Sequence, residues 1–234
     1  MSGAFVPFGA SHVAVILLTV AVPAGLAIIV RQAKSERLAR TVSLGFAAVL
    51  IATWIAWYWL IVARGWISPH TILPMDLCDW ATIATIVTLV RPNQRSYELA
   101  YFWALSGTVQ ALVTPELYYD FPDLRFIIFF AFHSGTIAAV LFLTLARGRR
   151  PYPSSLPRVV AWSLLYLVSA LAVNWLFGTN FGYLSGKPTK PSLLDLMGPW
   201  PIYIAELAGL GILYVLVLYA PFFVADRLGR RRTA

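Results

Sequence analysis

The amino-acid sequence predicts an all-α membrane protein, a bundle of seven transmembrane helices with the N-terminus outside and the C-terminus in the cytoplasm. Composition is the first observation. Of 234 residues, 59% are hydrophobic and 12% charged, with a mean hydropathy of +0.74, whereas a soluble domain carries about 25% charged residues. The second is that the apolar residues form continuous runs rather than an alternating pattern, which excludes strands of a membrane barrel. The third is that the charges gather in short segments between those runs, as loops at a lipid surface do.

The segments fall at about 12–30, 41–63, 72–90, 98–114, 125–146, 158–178 and 201–224, and the whole chain, 1–234, reads as one seven-span domain. A helix of 20 residues crosses about 30 Å, the thickness of the hydrocarbon layer. The opening "MSGAFVPFGASH" lacks the basic flank of a secretory signal, so the first run is read as a retained span. The fourth, "ELAYFWALSGTVQALVT", is the shortest. Trp and Tyr in "TWIAWYWLIVARGW" mark the outer end of span two, where such rings favour the headgroup layer. The Gly- and Pro-rich "GTNFGYLSGKPTKPSLLDLMGPW" is the longest outer loop and is expected to fold as a cap.

Orientation follows from the cations. Arg31, Lys34, Arg37, Arg40, Arg91, Arg95, Arg147, Arg149, Arg150, Arg158, Arg227, Arg230, Arg231 and Arg232 lie on one side, against Arg64, Arg125, Lys187 and Lys190 on the other. The positive-inside rule makes the first group cytoplasmic, and an odd number of spans fits that partition. The formal net charge of +8 is thereby explained by topology, and nucleic acid is not an expected partner. The single cysteine, Cys78, excludes an internal disulfide and any multi-cysteine metal site.

Polar residues inside a membrane are costly and face a cavity or a partner. Here they collect in the outer halves of the spans. With span three read as one helix from Ile72, Cys78 lies about 9 Å along it, and His133 about 12 Å past Arg125 in span five. Gln110, Asn174 and Glu206 occupy the same layer of spans four, six and seven, while Asp76 and Asp79 flank the cysteine. The inner halves, "ATIATIVTLV", "IAAVLFLTLA" and "GILYVLVLYA", are almost wholly apolar. Each polar residue has a plainer reading. A lone cysteine is a small hydrophobe, a lone histidine a packing residue, and Asp79 or Asn174 a hydrogen-bonded link between helices.

Together they permit thiol chemistry. Cys78 is the candidate nucleophile and His133 the candidate base, and acyl groups would pass through a thioester. Asp79 and Glu206 are candidate orienting groups, Asn174 and Gln110 candidate oxyanion donors, and Asp76 a candidate vestibule residue. A pocket in the outer leaflet has no access to cytosolic acyl-CoA or ATP, so bilayer phospholipids are the expected acyl donor and acceptor, with no cofactor. Hydrolysis follows if water intercepts the thioester. Two other readings stand beside this one: a metal-dependent lipid hydrolase using His12, His70 and His133 with Asp76 and Asp79, and a transporter or ligand-binding bundle without catalysis.

"LPMDLCD", "YFWALSGTVQALVTPEL", "FPDLRFIIFFAFHSG", "VNWLFGTNFGYLSGKP" and "SLLDLMGPWPIYI" together resemble the YwaF-like family of bacterial integral membrane proteins. More distantly they resemble the eukaryotic transmembrane protein 164 family, whose members carry a cysteine in span three and a histidine in span five. The resemblance covers about residues 40–225. It implies a bacterial plasma-membrane protein and an acyltransferase acting on phospholipids, with Cys78 as nucleophile and His133 as its base. In the eukaryotic sequences a histidine directly follows the cysteine; Asp79 takes that place here.

Overall fold

The computed structural model describes residues 3–231, which are helical apart from loops and one isolated antiparallel bridge, Ala4 to Tyr119. The chain divides into two compact units, Met1–Arg149 and Arg150–Ala234. Among the described residues, six helices are long and apolar enough to cross a membrane: Ala10–Ala33, Glu36–Arg64, the broken helix Pro69–Val90, Leu124–Leu145, Ser155–Phe177 and Ile202–Leu228. The protein is an all-helical integral membrane protein.

In the first unit, α1 (Ala10–Ala33) and α2 (Glu36–Arg64) form a hairpin. Ser35 caps α2 by accepting the Leu38 N–H at 3.2 Å. Gly65 closes its far end at φ +68°, where its N–H reaches the Ile61 and Val62 carbonyls, a left-handed position that glycine adopts without a Cβ penalty. The next stretch is not the single helix expected over 72–90. A one-turn helix, α3 (Pro69–Ile72), gives way to non-helical backbone before α4 (Leu77–Val90) begins. Pro74 accounts for the interruption, because its ring disfavours helical backbone at Leu73 and it has no N–H to donate.

The expected fourth span, 98–114, also differs. The helical stretch runs from Gln94 to Val113 in three pieces: α5 (Gln94–Trp103), a π-helical turn (Ala104–Thr108) and α6 (Val109–Val113). It is not among the six apolar helices because it is broken into short pieces and carries Gln94, Arg95, Glu98 and Gln110. Glu98 is fully buried and takes a hydrogen bond from Gln94 at 3.0 Å. The stretch nonetheless runs the length of the unit. At its start, the Tyr97 hydroxyl lies 2.8 Å from the Thr144 hydroxyl and donates to the Arg149 carbonyl at 3.0 Å, both at the C-terminal end of α7 (Leu124–Leu145). At its finish, the Leu112 carbonyl meets His12 in the first turn of α1.

Other links fix the remaining directions. Glu36 at the start of α2 pairs with Arg147 just beyond α7, at 2.6 Å. The Arg40 guanidinium donates to the Leu89 and Val90 carbonyls at 2.9 and 2.7 Å, satisfying groups that the end of α4 leaves without helical partners. Thus α4 and α7 run parallel, and both end where the Arg31–Arg40 turn lies.

Apolar clusters pack at both ends of this unit. Phe5, Leu112, Leu117, Phe126, Phe130 and Ile137 pack at one end, and Val30, Ala39 and Phe142 at the other. His12, one of the three histidines in the metal reading, is fully buried in the first. Its ring sits 5.3 Å from Phe5 and 5.5 Å from Phe130. Its Nδ1 accepts the Phe8 N–H at 2.9 Å and its Nε2 donates to the Leu112 carbonyl at 2.7 Å. Both nitrogens are engaged, so His12 fastens α1 to α6.

The second unit pairs α8 (Ser155–Phe177) with α9 (Ile202–Arg231). The loop between them is closely hydrogen-bonded. The Asn180 Oδ1 accepts from the N–H groups of Ser185 and Gly186 at 2.8 and 3.1 Å. The Lys187 ammonium donates to the Met197 carbonyl at 2.8 Å, and the Tyr203 hydroxyl to the Tyr183 carbonyl. At the other end of α9, Arg150 pairs with Asp226 at 2.5 Å and lies against the Phe222 ring.

His12→Phe preserves the ring packing but strands the Phe8 N–H and the Leu112 carbonyl. A loss of about 2–3 kcal/mol is expected, read as a lowered denaturation midpoint in mixed micelles; an unchanged midpoint would remove His12 from this role.

Candidate active site at the head of helix α4

The two aspartates beside Cys78 answer a local requirement. A helix that begins within the apolar layer has N–H groups that water cannot reach. Asp76 is the N-cap of α4, with extended backbone at φ −76° and ψ 152°. It forms a reciprocal capping box with Asp79, whose Oδ2 accepts the Asp76 N–H at 3.0 Å. Asp79 is thus a capping residue, and it is not the partner of the His133 ring nitrogen that the structure shows. Asp76 occupies the cap itself.

Cys78 is the second residue of α4 and is partly exposed. Its place in the first turn sets it beside backbone N–H groups that have no acceptor within the helix. His133 is buried in the middle of α7, its ring centroid 4.2 Å from that of Phe129 and 5.2 Å from that of Phe132. Its Nδ1 lies 2.8 Å from the Phe129 carbonyl. A carbonyl only accepts, so in the neutral ring Nδ1 carries the proton and the Nε2 lone pair is left to act as a base. The orienting group is a backbone carbonyl one turn back rather than the carboxylate or amide expected from sequence.

A threonine pair shows how the two helices meet. The hydroxyls of Thr82 on α4 and Thr136 on α7 are 2.8 Å apart, and each also lies 2.8 Å from a carbonyl of its own helix, that of Cys78 and that of Phe132 respectively. Cys78 is four residues before Thr82 and His133 three before Thr136, spacings that keep a residue on the same helix face. Because α4 and α7 run parallel, Cys78 and His133 each lie one turn from the threonine pair, on the same side of it. The depth reasoning from sequence needs revision even so. Cys78 is at the start of its helix, whereas His133 is nine residues into α7, about 13 Å from its beginning. The head of α4 is therefore sunk about two helical turns below that of α7.

The π turn completes this corner, and sequence reasoning missed it. A Cβ on Gly107 would stand 2.8 Å from the Leu77 side chain, so the absence of one lets the turn close on the head of α4. Such turns often occur at functional sites. The Thr108 hydroxyl at the end of the turn and the Ser134 hydroxyl beside His133 are buried without a hydrogen-bond partner. The "SG" of "ALSGT" was the available signal. Gln110, one turn on, is half-buried in α6.

The remaining predicted residues lie in the second unit, where each holds its own loop. Asn174 is buried, and its Oδ1 accepts from the Thr179 hydroxyl at 2.9 Å and the Phe181 N–H at 2.8 Å. Its Nδ2 donates to the Phe181 carbonyl at 3.0 Å. Glu206 is exposed and accepts the Gly198 N–H at 2.8 Å. Among the described residues no three His, Cys, Asp or Glu side chains converge as a metal site would require.

Asp79→Asn keeps an oxygen for the Asp76 N–H, whereas Asp79→Ala removes it. The alanine variant is expected to lose about 1 kcal/mol of stability and to change the rate of maleimide labelling at Cys78, with the asparagine variant close to wild type. Equal damage from both would show that Asp79 acts through its charge.

In comparisons with known proteins, residues 7–219 match the model of the TMEM164 family. No curated protein and no solved structure matches the chain.

Proposed function

The chain belongs to the TMEM164 family, and from that premise and the α4–α7 seam we propose that it is a thiol-dependent phospholipid acyltransferase of the bacterial plasma membrane. The observation that carries the reading is the Thr82–Thr136 hydroxyl contact one turn from both Cys78 and His133, with the His133 Nδ1 held by the Phe129 carbonyl. We assign the Gln94–Val113 stretch as a seventh crossing, with the N-terminus outside and the C-terminus in the cytoplasm. Its end-to-end course in the first unit and the distribution of Lys and Arg support that assignment.

In this reading the His133 Nε2 takes the Cys78 thiol proton as the sulfur attacks an ester carbonyl of a phospholipid. The Leu77 and Cys78 N–H groups, which the capping box does not use, stabilise the oxyanion, the task sequence reasoning assigns to Asn174 and Gln110. Collapse breaks the ester C–O bond, His133 returns the proton to the departing alkoxide, and a lysophospholipid leaves behind a Cys78 thioester. An acceptor hydroxyl then gives its proton to His133 and attacks the thioester, and the thiol is restored. With water as acceptor the same steps release a fatty acid.

Intact mass of the purified protein after incubation with mixed phospholipids tests this directly. A hydroxylamine-sensitive acyl adduct is expected on the wild type and not on Cys78→Ala, with His133→Ala forming it about 10²–10⁴-fold more slowly. An adduct that survives Cys78→Ala, or no adduct and unchanged lipids, overturns the proposal; the second result would favour a ligand-binding bundle.

A further inference from the structure

At the opposite end of the first unit, a cavity of about 230 Å³ opens between the α1–α2 turn and the end of α7. Arg31, Lys34 and Arg147 line it against a single carboxylate, Glu36, with Val30, Ala39 and Ala146 as its apolar wall. That volume holds several water molecules, enough room for a phosphate group. Ser35 and Glu36, the cap and first residue of α2, also line it, so the positive end of that helix faces the space. Lys34 is held there at φ +48°, where glycine would be adopted more easily.

Glu36 shows what the cavity binds. Its carboxylate sits on the Arg147 guanidinium in a two-pronged arrangement, Nη1 to Oε2 and Nη2 to Oε1, each at 2.6 Å. That fork fits two phosphate oxygens equally well. The Glu36 side chain is 77% exposed while that of Arg147 is 20% exposed, so solvent reaches the anion's side of the pair more than the cation's. Once it leaves, three cations face an apolar-walled space at the level where lipid headgroups lie.

We propose that this cavity is a binding site for an anionic phosphate group, with Arg147 as the fork, Arg31 and Lys34 as flanking charges, and Glu36 as the internal competitor that the phosphate displaces. Nothing in it depends on the thiol chemistry at the other end of the unit.

Native mass spectrometry of the full-length protein in detergent, titrated with phosphatidylglycerol against phosphatidylcholine, reads the site. Phosphatidylglycerol is expected to bind more tightly, and each cation removed should weaken it about fivefold. Arg147→Gln and the double variant Arg31→Gln/Lys34→Gln should both lose the preference, whereas Glu36→Gln should strengthen binding. The double variant alters only exposed side chains, so it remains informative if Arg147→Gln fails to fold. Displacement of the bound lipid by glycerol 3-phosphate would identify a free phosphate as sufficient, and persistence of the lipid would identify a headgroup held in the leaflet. Phosphatidylglycerol binding unchanged in the double variant, or weakened by Glu36→Gln, overturns the proposal.

Discussion

Inside a bilayer no water is available to a backbone group left over by a helix, and the first unit is organised around that constraint. Helix α4 begins well below the head of its neighbour, so its opening N–H groups require partners from the protein. Asp76 and Asp79 provide them. At its other end the last carbonyls of α4 are met by Arg40 reaching across from α2. A helix of 14 residues is about 21 Å long, shorter than the hydrocarbon layer it sits in. The remaining depth is taken up by α3 and the backbone that follows it.

That arrangement unites two facts that otherwise look unrelated: acidic residues in an apolar segment and a partly exposed thiol at the same place. Carboxylates spent on capping are not thereby spent on chemistry. The proposed acid–base work falls instead to one histidine whose ring is aimed by its own helix. Such a site needs few polar side chains, which agrees with the small number present in these spans. The seam below it is closed by threonines whose hydroxyls bond both within and between helices, so neither of these two buried hydroxyls lacks a partner.

Much of the fold was legible in the sequence because hydropathy reports directly on what faces lipid. Six apolar segments correspond to six long helices. The stretch from Gln94 to Val113 was legible only in outline, since its buried Glu98 and its π turn depend on neighbours far along the chain. The break before Leu77 carried local signs, Pro74 and an aspartate three residues before another, but apolarity on both sides outweighed them. The proposed pairing of Cys78 with His133 rests on Thr82 and Thr136, two residues that are ordinary in isolation. His12 was ambiguous because its meaning comes from Leu112, a hundred positions away. Asn174 and Glu206 were conspicuous as polar residues in apolar runs, yet their bonds are to loop backbone close by in sequence.

The Arg40 clamp has a mechanical corollary. A helix tied to α2 by Arg40 and to α7 by the Thr82–Thr136 contact cannot act as a piston, and a slip of one residue along the helical screw would also turn it by 100°. Such a turn would carry Cys78 and Thr82 together off the face that meets α7. Fixing the far end of α4 therefore sets the compass bearing of a sulfur some twenty ångströms distant, so that access to the thiol has to change by sideways movement of its neighbours and not by travel of the helix that bears it.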